Sequence, residues 1–298
     1  MAGRQRKEKD NKKTILHVKN ASQSVSRETL LHDPVPQDGG RHEDKPEYLT
    51  EPDPALRKKA EDHLQEGLQK FGITLSGLQL EQLYQYYRNL VRWNQVMNLT
   101  AIVDFEEVYV KHFLDSLTIT AVLGKDQIKS GMKLIDVGTG AGFPGLPLAI
   151  AFPSLQVTLM DSLNKRIRFL SETVDILGLT NVVTVHGRAE ELARNKAFRE
   201  KFDLCCSRAV ANISTLSEYC LPFVKQGGAF IPYKSEKIEE ELKTGQKAIE
   251  ILGGRLEKNE AFMLPGTEFQ RSMLLIRKFK QTSSKYPRKA GTPSREPL

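Results

Sequence analysis

Cysteine is scarce in this chain. There are three among 298 residues, two of them adjacent as Cys205 and Cys206. That number and spacing give neither a disulfide framework nor a metal-ligand pattern, so no metal is expected. No apolar run reaches the ~18 residues of a membrane helix, so no membrane partner is expected. The opening MAGRQRKEKDNKK has no apolar leader core, and its acids are foreign to a transit peptide. No internal repeat is visible. Together these absences lead to the expectation of a reducing, cytoplasmic setting. What is present is an ordinary globular composition, 39% hydrophobic with 21 glycines, enough to bury a real core. The net charge of +7 admits a nucleic-acid partner without demanding one.

The chain divides by pattern. Residues 1–54 are polar and carry Pro34, Pro36, Pro46, Pro52 and Pro54 without sustained periodicity, which predicts a disordered or loosely attached extension. Its first 20 residues hold seven Lys/Arg against two acids, so the segment is either a solvated tail or a basic arm for RNA. Residues 55–124 read as a helical N-terminal subdomain. Leu56, Leu64, Leu68 and Phe71 line one helical face, Leu80, Leu83, Tyr87, Leu90 and Val91 a second, and a third stretch runs near 104–123. Residues 125–281 alternate short apolar runs with helical ones, beginning at KLIDVG, and close on two strands with no helix between them. That pattern predicts an α/β fold, Rossmann-like, with a seven-stranded mostly parallel sheet and an antiparallel last strand. Residues 282–298 form a basic, proline-containing tail expected to be irregular.

The most informative stretch is Asp136-Val-Gly138-Thr-Gly140-Ala-Gly142-Phe-Pro-Gly145, which follows a strand and opens a helix. Ligands of such sheets sit at the carboxyl ends of the strands, where strand order reverses. Small residues there let a ligand approach the backbone. Asp161 ends the next strand, 23 residues after Gly138, where a carboxylate can accept from both hydroxyls of a ribose. Gly140-x-Gly142-x-x-Gly145 formally fits a dinucleotide loop. Asp136 favours S-adenosylmethionine (SAM) instead, because a carboxylate suits an ammonium and repels a pyrophosphate. It could equally be a carboxylate that only caps loop N–H groups. The loop by itself leaves SAM, a dinucleotide and no cofactor open.

The ordered runs WNQVMNLT, KHFLDS, IDVGTGAGFPGLPLAI, DSLNKRIRFL, GRAEEL, FDLCCSRAVA and KYPRKAGTP resemble the RsmG (GidB) family of 16S ribosomal RNA methyltransferases. The resemblance spans about residues 57–293. It implies a class I SAM-dependent fold, SAM as cofactor, and methylation of guanine N7 at nucleotide 527 in the 530 loop of 16S rRNA, free or in the 30S ribosomal subunit. It also implies SAM contacts at Gly138, Phe143, Ala189, Glu190 and Arg208. Asp136, Gly140, Gly142 and Asp161 join them from the reading of the loop. In this fold the turn after the third strand reaches an adenine edge, which suits the backbone of Ala189 and the side chain of Glu190.

The chemistry implied is undemanding of side chains. Guanine N7 has a free lone pair, so no general base is expected and the work is alignment. Ser207-Arg208-Ala209 lacks the Asn/Asp-Pro-Pro-aromatic run of amine methyltransferases, and no Cys-Pro pair marks cytosine C5 chemistry. Cys205 and Cys206 read as buried small hydrophobes. Lys165, Arg166, Arg188, Arg208 and Lys234 each follow a strand end and could converge as a rim for RNA phosphates, each alone being equally well a solvated charge or structural ion pair. Lys111, Lys285 and Lys289 are further RNA candidates. His112 and Asp115 could reach the substrate pocket, but the expectation is a helix-end contact with Asp115 as an N-cap. Trp93 and Tyr87 read as core packing rather than base stacking. A monomer is expected. The alternatives are a methyltransferase for another RNA or a small molecule, an NAD-dependent dehydrogenase, and a non-catalytic RNA-binding protein.

Overall fold

The computed structural model describes residues 52–208, 211–235 and 238–298. The proposed basic arm within residues 1–54 lies almost wholly outside them. Asp53 caps α1 (Pro54–Gln69), its side chain accepting from Ala55 N–H. Ser76 and Gln79 form a reciprocal capping box that starts α2 (Gly77–Met97). The third helical stretch is broken into α3 (Phe105–Val108), a π-helical turn over Tyr109–Leu114, α4 (Asp115–Leu117) and α5 (Thr120–Leu123). Asp104 caps its start, and Gly124, at φ +76°, ends it.

The sheet follows: β1 (Lys133–Val137), α6 (Gly145–Ala151), β2 (Gln156–Asp161), α7 (Asn164–Ile176), β3 (Val182–His186), α8 (Ala189–Leu192), β4 (Phe202–Ser207), α9 (Ile213–Cys220), β5 (Val224–Ser235), α10 (Ile238–Ile251), β6 (Gly254–Met263), β7 (Gln270–Lys278) and α11 (Thr292–Arg295). Strand order is β3-β2-β1-β4-β5-β7-β6. β1 to β5 run parallel, and β7 is antiparallel to both β5 and β6. The predicted seven strands and the reversed last one are therefore observed. Strand order reverses between β1 and β4, which opens a crevice at their carboxyl ends. Ser207 Oγ donates to the Val137 carbonyl at 2.8 Å and holds those two ends together.

Alternate residues of each strand feed opposite faces. Leu134 and Cys206 join one core, Ile135 and Cys205 the other. The first core continues without a break into α1 and α2, through Leu64, Leu83 and Tyr86 against Leu146 and Phe169. Residues 55–124 thus lie on one face of the sheet and share its core. Cys205 and Cys206 are fully buried, as read. After β3 the only regular helix before β4 is the short α8, and beyond it the Asn195 side chain turns back to accept from Ala197 N–H.

The tail is irregular in backbone apart from α11, yet it is fastened. The Arg288 side chain donates to the fully buried Glu218 carboxylate at 2.7 and 3.0 Å. Arg194 and Arg199 donate to carbonyls of Thr282, Lys285 and Tyr286. Tyr286 and Pro293 are buried, so residues 282–298 strap across α8 and α9.

Candidate functional site

The loop after β1 is held by its own first residue. Asp136 is completely buried, and its Oδ2 accepts from Thr139 Oγ1 at 2.6 Å and from Gly145 N–H at 2.8 Å. It is therefore a cap on the loop. Its Oδ1 has no hydrogen-bond partner. Burial pushes its pKa up to about 6, against the opposing pull of those two donors. A Cβ on Gly145 would lie 2.3 Å from Leu159 and 2.9 Å from Asp136 Oδ2, so the helix must begin on glycine to close over the carboxylate.

Gly138, Gly140 and Gly142 all have positive φ, at +72°, +61° and +101°. They differ in what lies beside them. A Cβ on Gly142 would come within 2.6 Å of both Leu146 and the Tyr86 hydroxyl, whereas Gly138 and Gly140 face open space. Gly142 is thus a packing glycine, and the other two line a cradle. Tyr86, from α2, donates its hydroxyl to the Ala141 carbonyl and braces the loop from below. That brace leaves no trace in the sequence beyond the helical position of Tyr86.

Asp161 borders the cradle and is 2% exposed. Its Oδ1 accepts from Leu163 N–H at 2.9 Å, and its Oδ2 from Gly140 N–H at 3.0 Å and Arg166 at 3.3 Å. A carboxylate has about four acceptor positions. One remains, so a two-hydroxyl grip requires Arg166 to move aside. Ala189 and Glu190, both buried, open α8 at the end of β3. Glu190 Oε1 accepts from Gly291 N–H of the strap at 2.9 Å.

Across the crevice, Arg208 leaves β4 and places its guanidinium 4.9 Å from the Phe143 ring. Asp115 fixes it there: Oδ2 accepts from Arg208 at 2.9 Å, while Oδ1 accepts from Arg271 at 2.6 Å. The expected N-cap role for Asp115 is corrected by this. Its backbone is already helical and both its oxygens are committed to arginines. Arg271, the second arginine, escaped the sequence reading because only the pairing of β7 with β5 brings it to this edge. His112 stands beside the clamp, with Nδ1 3.2 Å from Arg208 and Nε2 2.9 Å from Thr100 Oγ1. Nδ1 also lies 3.2 Å from the Lys111 carbonyl, so it stands between a donor, the Arg208 guanidinium, and an acceptor. Burial, and then the Arg208 charge, push the imidazole pKa down to about 3.

The five rim cations do not form one uniform surface. Lys165 and Arg188 are exposed. Arg166 is tied to Asp161 and Arg208 to Asp115. Lys234 is tied to Glu241 at 2.6 Å and to the Ala211 carbonyl at 2.8 Å. Lys111 pairs with Glu107. Lys285 and Lys289 are exposed on the strap. Tyr87 donates to the Val103 carbonyl and packs edge-on to Phe105, and Trp93 packs edge-on to Phe169, consistent with packing roles. Among the described residues no group of three or more His, Cys, Asp or Glu is placed to hold a metal ion, and no helix is long and apolar enough to cross a membrane.

A family model described as rRNA small subunit methyltransferase G (GidB) matches residues 79–271. A curated ribosomal RNA small subunit methyltransferase G from Lachnoclostridium phytofermentans is 54% identical over 233 residues, covering 78% of this chain and 95% of its own. The protein of the same name from Lactobacillus acidophilus is 52% identical over 231 residues, covering 78% of this chain and 96% of its own. Solved structures are more distant. M. jannaschii TYW2 in complex with AdoMet is 18% identical, with a TM-score of 0.42, covering 51% of this chain and 72% of that one.

Proposed function

The chain belongs to the rRNA small subunit methyltransferase G family, and from that premise we propose that it methylates guanine N7 at nucleotide 527 of 16S rRNA with SAM as methyl donor. The observation that carries the reading is the open cradle over Gly138 and Gly140, at the point where strand order reverses between β1 and β4. The cradle suits SAM better than a dinucleotide. Asp161 borders it and the buried Asp136 carboxylate lies behind it, and negative charge at the loop favours an ammonium over a pyrophosphate.

When bound, SAM supplies a methyl group already activated on a sulfonium. The chain's residues hold and align. Gly138, Gly140 and Gly142 set the loop backbone, with Asp136 behind it. Phe143 walls the crevice, and Asp161 offers its remaining acceptor position to a ribose hydroxyl. The Ala189 backbone and the Glu190 side chain, at the turn after β3, would hold the adenine end of the bound cofactor. The Arg208 guanidinium, fixed by Asp115, faces the junction of cofactor and acceptor. Guanine N7 brings its own lone pair, and nothing must take a proton from it. No catalytic base is therefore assigned. Proximity and exclusion of water supply the acceleration, on the order of several kcal/mol. Lys165, Arg166, Arg188, Arg208 and Lys234 form the RNA side of the mouth, Lys165 and Arg188 as the freest charges. The working unit in this reading is a monomer. The substrate, naked rRNA or the 30S particle, places the protein in the cytoplasm.

Gly138→Asp puts a side chain into the cradle at a positive φ. SAM binding, measured by calorimetry, is expected to vanish in that variant, and methyl transfer to 16S rRNA with it. Unchanged transfer would overturn the loop assignment.

A further inference from the structure

The rim cations lie around the cofactor mouth, and none of them explains how RNA beside the target nucleotide is held. A different feature stands at the same edge of the sheet. Ser235, the last residue of β5, pairs with Arg271 of β7, so the β6–β7 hairpin emerges at the carboxyl edge where the crevice opens. The hairpin loop carries Phe269, exposed over 44% of its surface. Lys111 Nζ lies 5.0 Å and the Arg271 guanidinium 5.9 Å from its ring centre.

This exposed aromatic is held in place. The Phe269 carbonyl accepts from Leu264 N–H at 2.8 Å, and Phe269 N–H donates to Thr267 Oγ1 at 3.0 Å. Gly266, at φ +73°, sits so close to His63 of α1 that a Cβ would fall 2.0 Å from its ring. The loop is therefore packed down on α1 while the phenyl ring points away from the core. An apolar ring held in water beside two cations is what unpaired RNA requires, a π-face for a base and positive charge for the adjoining phosphates. Lys111 pairs with Glu107, but Glu107 is 46% exposed, so solvent weakens that pair and leaves the lysine able to turn to a phosphate.

The ring is also wired to the site. Arg271, beside Phe269, is held by Asp115, which holds Arg208 with its other oxygen. Lys111 offers its carbonyl to Arg208 at 3.4 Å. From these relations we propose that the β6–β7 hairpin is an RNA platform. A single-stranded nucleotide next to the target guanine stacks on Phe269, with its phosphates met by Lys111 and Arg271. This rests on the rRNA methyltransferase reading and adds to it the surface that holds the flanking strand.

The test uses the full chain with Phe269→Ala, Phe269→Leu and Phe269→Trp. Loss of a stacked base raises the KM for RNA by about five- to a hundredfold in the Ala and Leu variants. SAM affinity and the thermal midpoint stay at the parent's values. Leu separates stacking from packing, since it keeps apolar bulk without a π-face. The Trp variant keeps the parent's KM, and its added fluorescence is quenched by a single-stranded RNA of the 530-loop sequence more than by the same RNA in a perfect duplex. Parent-like KM values in the Ala and Leu variants, or no quenching, would overturn the platform. Failure of the parent to methylate 16S rRNA would strike the functional reading instead, and the quenching experiment would still decide whether RNA lies on the ring.

Discussion

The imidazole of His112 lies almost flat on the phenyl ring of Phe143, with ring centres 4.3 Å apart and planes 22° apart. One ring comes from the π-helical turn, the other from the glycine loop, so the contact joins the N-terminal helices to the cofactor mouth. Arg208 touches both rings. A protonated imidazole here would face a guanidinium at 3.2 Å.

His112 is therefore expected to stay neutral throughout the working range. Its folded pKa of about 3 lies below the ordinary value of 6.5, so between these values the unfolded chain binds more protons. The stability it contributes is complete above about pH 6.5 and is lost as pH falls toward 3. Asp136, raised to about 6, pulls the opposite way in part of this window, so the readout is a difference: in thermal melts from pH 7 to 5 the midpoint of the parent should fall relative to that of His112→Gln. Equal slopes would show that another group governs this window.

Asp136 separates a cap from a charge. An amide in its place can put its oxygen where Oδ2 accepts from Thr139 and Gly145, leaving the amide nitrogen at the unpartnered Oδ1 position. Asp136→Asn is expected to fold with a midpoint near the parent's, yet to bind SAM about tenfold more weakly if the carboxylate faces the ammonium, a loss of about 1.4 kcal/mol. Calorimetric titration reads it. Parent-like affinity would reduce Asp136 to a cap.

These cases show what the sequence carried. The alternation of apolar runs and helices was legible because each buried strand and amphipathic helix has its own period. That reading yielded all seven strands and the reversed β7. The glycine loop was legible because positive φ leaves a compositional trace. The arginine clamp was not. Asp115 and Arg271 are 156 positions apart and meet only through the β5–β7 register, so no local pattern links them. The irregular backbone of the tail was legible, but its fastening was not, for a related reason. A basic, proline-bearing segment looks solvated, and its anchor is a single glutamate on α9 that sequence cannot pair with Arg288.

That anchor predicts a large effect. Glu218 is fully buried, and Arg288 is the residue that neutralises it. Arg288→Ala leaves the carboxylate without its charge partner and is expected to destabilise the protein by about 3 kcal/mol. It should also weaken SAM binding, because Gly291 N–H on the same strap holds Glu190. Denaturant melts and calorimetry check the two effects. A stable variant with normal affinity would make the strap a passive tail.

The two exposed rim cations predict a salt signature. Replacing Lys165 and Arg188 together by alanine should weaken RNA binding and flatten the dependence of log affinity on log salt by about one to two units. Filter binding at several salt concentrations gives the slope. An unchanged slope would place the RNA elsewhere.

The most direct measurement incubates the protein and SAM with 16S rRNA, both free and in 30S particles, then applies borohydride reduction, aniline cleavage and primer extension. Methylation at N7 labilises the glycosidic bond, so the cleavage reports atom and position together. The account predicts one SAM-dependent break, at nucleotide 527. Methyl incorporation without a break there, or no incorporation into either form of the RNA, would contradict it.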